Sequence, residues 1–164
     1  MFNSWPQSES LSGHAMLLPG QPEDKRLIRY MIRTEPGARK AVMAGLEDLL
    51  LKADEGRIIV VSTGGLKMLM TGNALYLGSK GALHQFVRTF AQELGPRRIT
   101  VNSLLPGYTD TDLLPERDRK VAAGASPFKR VGAPEDVADA AAFLASNDAR
   151  WVTGQELGAG GGVF

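Results

Sequence analysis

The segment RIIVVST, residues 57–63, constrains the fold more than any other stretch. It is dense in β-branched residues and apolar almost without a break, whereas a strand with one wet face alternates apolar and polar side chains. It predicts a strand buried on both faces, and such strands belong to parallel sheets covered by helices. RITVNSLLPG, residues 98–107, predicts a second strand of this kind, ending in a Pro-Gly turn. Between the two, Leu83, Phe86, Val87, Phe90 and Leu94 recur at helical spacing within a helix over about 74–94, which Gly95-Pro96 closes. Upstream, Val42, Leu46, Leu49 and Leu50 predict a helix over about 38–54, followed by a turn at DEG. Downstream, residues 108–130 read as a polar loop with a short helix. Pro134, Glu135 and Asp136 then open a helix with proline in its first position and acids in its first turn, where the helix dipole favours them. That helix carries Val137, Ala141, Phe143 and Leu144 and ends near Asn147, and QELGA forms a last short strand. Alternating strands and helices with this spacing define an α/β chain with right-handed crossovers on a parallel sheet.

The first 33 residues have another character. Residues 1–24 hold Pro6, Pro19, Pro22, Gly13 and Gly20 among serines and glutamines, which reads as loop or disordered arm. KRLIRYMIR, residues 25–33, reads as a short basic amphipathic turn with Leu27, Ile28 and Met31 inward and its arginines solvated. The expected division is therefore an arm over 1–33 and a folded unit over 34–164. A length of 164 residues, 43% of them hydrophobic, suits one globular domain. Nineteen basic and 18 acidic residues nearly cancel, so no field gathers nucleic acid or an anionic membrane. With no cysteine, and with His14 and His84 as the only histidines, no metal site is expected. A reducing cytoplasm suits such a chain. No stretch has the length of a membrane span or the flanks of a secretory leader.

Ligands of parallel sheets bind beyond the carboxyl ends of the strands. Thr63, Pro106 and Gly107 lie at such ends and should face one cleft with the start of the 74–94 helix. There, Tyr76 and Lys80 stand four residues apart, one helical turn, on one face. A phenol with a pKa near 10 is a sluggish proton carrier at neutral pH. An ammonium group one turn away favours the phenolate and makes the tyrosine a usable acid or base. Thr63 adds a hydroxyl able to donate to a substrate oxygen.

Taken in order, GRIIVVST, YLGSK with its continuation to TDTDL, RVGAPEDVADAAAFLAS and WVTGQEL resemble the C-terminal half of a short-chain dehydrogenase/reductase over residues 57–164. The resemblance implies a partial Rossmann-like fold, a three-layer α/β/α arrangement with a short parallel sheet. It also implies NAD- or NADP-dependent hydride transfer with a small-molecule carbonyl or alcohol substrate. Tyr76 would exchange the proton, and Lys80 would lower the tyrosine pKa and hold the nicotinamide ribose. Thr63, thirteen positions before Tyr76, would stand in for the family's substrate-orienting serine. Pro106 and Gly107 would support the nicotinamide, and Thr109 and Thr111 would contact its carboxamide and phosphates. Ser62 should point to the opposite face of the strand from Thr63. Subunits would pair through the 38–54 and 74–94 helices, with Phe86, Val87 and Phe90 either in that contact or in the core.

Three departures from the family pattern bear on activity. No TGxxxGxG phosphate loop stands ahead of the first strand, and the βα units that hold the adenosine half of the cofactor are lacking. TGQELGAG, residues 153–160, satisfies that pattern, but only four residues follow it, so no helix can open there to receive a pyrophosphate. The NNAG segment is also absent, as is any asparagine between Asn3 and Asn73. Cofactor binding by this chain alone is expected to be weak. An inactive interaction or dimerisation module, or a non-functional truncated product, are the alternative readings.

Overall fold

The computed structural model describes residues 14–18 and 27–33 through their backbone, and residues 55–68 and 70–164 in full. Its elements are β1 (His14–Leu18), β2 (Leu27–Arg33), β3 (Glu55–Val61), α1 (Ala74–Leu94), β4 (Ile99–Pro106), α2 (Glu116–Ala125), α3 (Pro134–Ala145) and β5 (Glu156–Ala159). They form one sheet in the order β1-β2-β3-β4-β5. β2 to β5 run parallel and β1 pairs antiparallel with β2.

β3 and β4 are buried almost throughout, as their continuous apolar runs require. Alternation along β3 sends its side chains to two helical layers. Ile58 and Val60 pack with Leu83, Val87 and Ala91 of α1. Ile59, with Leu104 of β4, packs against Ala141, Leu144 and Ala145 of α3. The three-layer α/β/α arrangement follows from these two faces. Val87 is 1% exposed and belongs to the core, whereas Phe86 is 45% exposed, so the apolar stripe of α1 is divided between packing and surface.

α1 stops at Leu94 as Gly95-Pro96 predicts, but the glycine stays right-handed and the chain reverses at Arg98, with φ 58°. α3 begins at Pro134, and the Asp136 carboxylate turns back to accept the Ala133 N–H at 2.6 Å. The short helix expected within 108–130 is α2. The expected helix over 38–54 lies outside the described residues.

The arm expected over residues 1–33 is corrected in two places. Residues 14–18 and 27–33 are strands of the sheet, and β2 pairs with the whole of β3, from Leu27 opposite Glu55 to Arg33 opposite Val61. The prolines and glycines that suggested a loop flank these strands: Gly13 precedes β1, and Pro19, Gly20 and Pro22 fall between β1 and β2. Within β2, Ile28, Tyr30 and Ile32 recur at period two and are strand-forming types, a pattern the helical reading of Leu27, Ile28 and Met31 concealed.

Candidate active site at the carboxyl ends of β3 and β4

A cleft of about 780 Å³ opens where β3 and β4 end, and all seven residues singled out from the sequence line it. Thr63 reaches it from the end of β3, and Tyr76 and Lys80 from the first two turns of α1. Pro106, Gly107, Thr109 and Thr111 come from the end of β4 and the loop beyond. The Lys80 ammonium stands 5.9 Å from the centroid of the Tyr76 ring, over its face.

Local bonds hold each group in place. The Thr63 Oγ1 accepts the Gly65 N–H at 3.1 Å and so caps the 3₁₀ turn Gly64–Lys67, which leaves the hydroxyl proton available to donate. Thr109 donates to the Gly107 carbonyl at 3.2 Å, and its segment is laced to the residues before α3 by Gly132 N–H to Tyr108 O and Asp110 N–H to Gly132 O. Asp110 is held below the usual carboxylate range by its hydrogen bond from Arg119 at 2.6 Å, which ties this loop to α2. Leu113, Leu114, Val137 and Ala141 supply apolar walls that sequence reasoning did not assign to the site. The result is a small set of hydroxyls, one ammonium and the two phenols of Tyr76 and Tyr108 among the described residues of an apolar cleft, suited to orienting a polar oxygen on an otherwise apolar small molecule.

A family model described as enoyl-(acyl carrier protein) reductase matches residues 37–164. Among curated proteins, the short chain dehydrogenase/reductase dmxR18 of Cryptosporiopsis sp. (strain 8999) is 41% identical over 124 residues, covering 66% of this chain and 47% of its own length. The chain belongs to the short-chain dehydrogenase/reductase family. The 3-oxoacyl-[acyl-carrier-protein] reductase FabG of Pseudomonas aeruginosa is 39% identical over 128 residues, covering 76% of this chain and 50% of its own. The crystal structure of the angucycline C-6 ketoreductase LanV with bound NADP is 42% identical, with a TM-score of 0.69, over 76% of this chain and 50% of that one. A blue fluorescent protein from a metagenomic library, in complex with NADPH, is 34% identical with a TM-score of 0.68. The chain thus spans about half the length of the curated relatives it matches.

In this short-chain dehydrogenase/reductase, the TGQELGAG segment runs into and along β5, and no helix follows it among the described residues. A further group of residues adjoins the cleft that sequence reasoning missed. The Ser62 hydroxyl lies 2.9 Å from His84 Nε2, and His84 Nδ1 lies 2.6 Å from Glu156 Oε1. The second Glu156 oxygen meets the Lys67 ammonium at 2.5 Å. Ser62 therefore meets α1, and it lines the same cleft as Thr63. Partial burial pushes the Glu156 carboxyl up, but the Lys67 ammonium and the His84 ring outweigh it and hold it below the ordinary carboxylate value. His84 follows Lys80 by the same four residues that separate Lys80 from Tyr76, the one signal that marks it in the sequence.

Proposed function

We propose that this chain carries the proton-transfer and nicotinamide end of an NAD- or NADP-dependent oxidoreductase acting on a carbonyl or alcohol of a small organic molecule. The convergence of Tyr76, Lys80 and Thr63 on one cleft supports this reading. So do relatives described as reductases and as NADP or NADPH complexes.

When bound, the reduced nicotinamide supplies the hydride that becomes bonded to the carbonyl carbon. The substrate oxygen accepts hydrogen bonds from the Thr63 hydroxyl and from the Tyr76 phenol, and Tyr76 delivers the proton that completes the alcohol. The Lys80 ammonium favours the phenolate so produced, and alcohol oxidation runs the same steps backwards. Pro106 and Gly107 form the backing of the nicotinamide pocket, with Thr109 and Thr111 as hydrogen-bonding groups beside it. The residues fit this end of the cofactor by their chemistry: apolar walls for a flat ring, hydroxyls for its carboxamide and ribose, and no carboxylate among the described side chains that line the cleft.

Tyr76→Phe removes one hydroxyl from a residue 45% exposed. It should leave the thermal melt unchanged and lower carbonyl reduction about a hundredfold or more. Thr63→Ser should keep the rate. Reduction at the parent rate in Tyr76→Phe would sink the assignment.

Subunit pairing through α1 is part of the same reading. Phe86 is 45% exposed and stacks on Phe90 with ring centroids 6.1 Å apart, an apolar surface a second copy can cover. Phe86→Asp should lower the mass seen by light scattering to that of one chain, and an unchanged mass would exclude α1 as the contact. The absence of cysteine fits a reducing compartment such as the cytoplasm.

A further inference from the structure

Ser62, His84, Glu156 and Lys67 form a continuous chain of polar contacts that the proton-transfer reading leaves unused. Its geometry surrounds one residue. Ser62 precedes Thr63 directly, and Lys67 closes the 3₁₀ turn that Thr63 caps. Between Thr63 and Lys67 the backbone is Gly64-Gly65-Leu66, and it opens on the least constrained dipeptide available. Thr63 thus stands just past the last residue of β3, on a turn with little stiffness of its own. The polar chain ties both sides of that turn to rigid elements: His84 is on α1, and Glu156 is the first residue of β5.

The direction of the hydrogen bonds follows from the charges. Glu156 is held ionised by Lys67 and His84 and can only accept, so His84 Nδ1 carries the hydrogen that points at it. Nε2, on the other side of the ring, meets the Ser62 hydroxyl at 2.9 Å. These separations are also those of a Ser-His-acid hydrolytic triad. Two observations weigh against that use. Ser62 is only 7% exposed, and the carboxylate that would stabilise an imidazolium is already neutralised by Lys67.

We propose that Ser62, His84, Glu156 and Lys67 are positioning residues that fix the Thr63 hydroxyl against Tyr76 and Lys80. The proposal rests on the reading of Thr63 as the substrate-orienting hydroxyl. Tyr76, Lys80 and His84 lie on one face of α1 at successive turns, so the helix that carries the proton donor also anchors the turn that carries its neighbour. A misplacement of 1 Å in such a pair is enough to lower turnover about a hundredfold.

Hydrogen exchange reads the position without any need for activity, because the Gly65 N–H is bonded to the Thr63 Oγ1. In His84→Ala the Gly65 amide should exchange at least tenfold faster while the amides of β4 keep their rates. His84→Gln, which retains a polar group, should recover part of the protection. The parent ring should show the ¹⁵N shift of a protonated Nδ1. Should His84→Ala fail to fold, Lys67→Met, which breaks only the outer ion pair of a half-exposed side chain, should raise Gly65 exchange about threefold. Unchanged Gly65 exchange in a folded variant, or the ring shift of an unprotonated Nδ1, would overturn the proposal. Where turnover is measured, kcat should fall in His84→Ala with KM unchanged, and a fall in kcat without faster Gly65 exchange would also count against positioning. Tyr76→Phe should leave Gly65 exchange at the parent rate. Failure of the oxidoreductase reading would therefore appear in turnover alone, and failure of the positioning network in exchange.

Discussion

At Gly107 an added Cβ would stand 2.6 Å from the Cα of Gly160 and 3.0 Å from its carbonyl oxygen, so the turn ending β4 rests backbone on backbone against the end of β5. Gly64 is crowded too, but by the ring of Phe164, a side chain able to swing aside. The two substitutions to alanine should therefore differ. Gly107→Ala must move a strand end and should cost about 3 kcal/mol, the upper part of the range for overpacking, whereas Gly64→Ala should cost about 1 kcal/mol. Urea denaturation checks this, and equal costs would mean that the Gly107 turn is not packed on β5 as described. The same contrast explains what the sequence disclosed at this scale. Tyr76, Lys80 and Thr63 were legible because fixed separations of four and thirteen residues tie them together along the chain. Ser62 and Glu156 were not, since their shared partner His84 lies 22 residues from one and 72 from the other. A lone histidine on the inner face of a helix carries no sign of what it will meet across a sheet.

α3 forms one wall of the cleft through Val137 and Ala141, and its first turn is set by Asp136. That carboxylate accepts a bidentate hydrogen bond from Arg130, at 2.6 and 2.8 Å, and the Ala133 N–H as well, and its pKa is lowered from 3.8 to about 2. A folded-state pKa below the unfolded one adds stability that is complete above the unfolded value and is lost as pH falls through the folded one. The contribution of Asp136 should therefore fade between about pH 4 and pH 2. Thermal melts of the parent and Asp136→Asn should differ most near neutral pH and converge toward pH 2, and a difference constant with pH would refute the capping role. Elements with their own local signals were readable in advance. β3 and β4 show unbroken β-branched runs, α1 a helical stripe, and α3 a proline and two acids at its start. β1 and β2 were missed because each is short and bordered by proline or glycine or by basic residues, so composition over a longer window outweighed the period-two pattern inside β2.

Across the whole molecule, the sheet places its longest strands inside and its shortest outside. β3 has seven residues and β4 eight, while the outer strands β1 and β5 have five and four. Short outer strands limit the row of unpaired N–H and C=O groups offered to another chain. β3 is the strand least suited to an edge, since it is apolar over most of its length and buried from Gly56 to Val60. What keeps it inside is β2, paired with all seven of its residues. With residues 27–33 in a loose arm, β3 would stand at an edge; with β2 in place, the full chain has no reason to associate through β3. Removing residues 1–33 takes away β1 and β2 together and bares the β3 edge. The shortened protein should aggregate or elute as higher oligomers while retaining the helical circular dichroism of α1 and α3, and the full chain should not do so through this edge. Size exclusion with light scattering on both proteins checks this. A shortened protein as soluble and as small as the full chain would show that β2 does not cover β3.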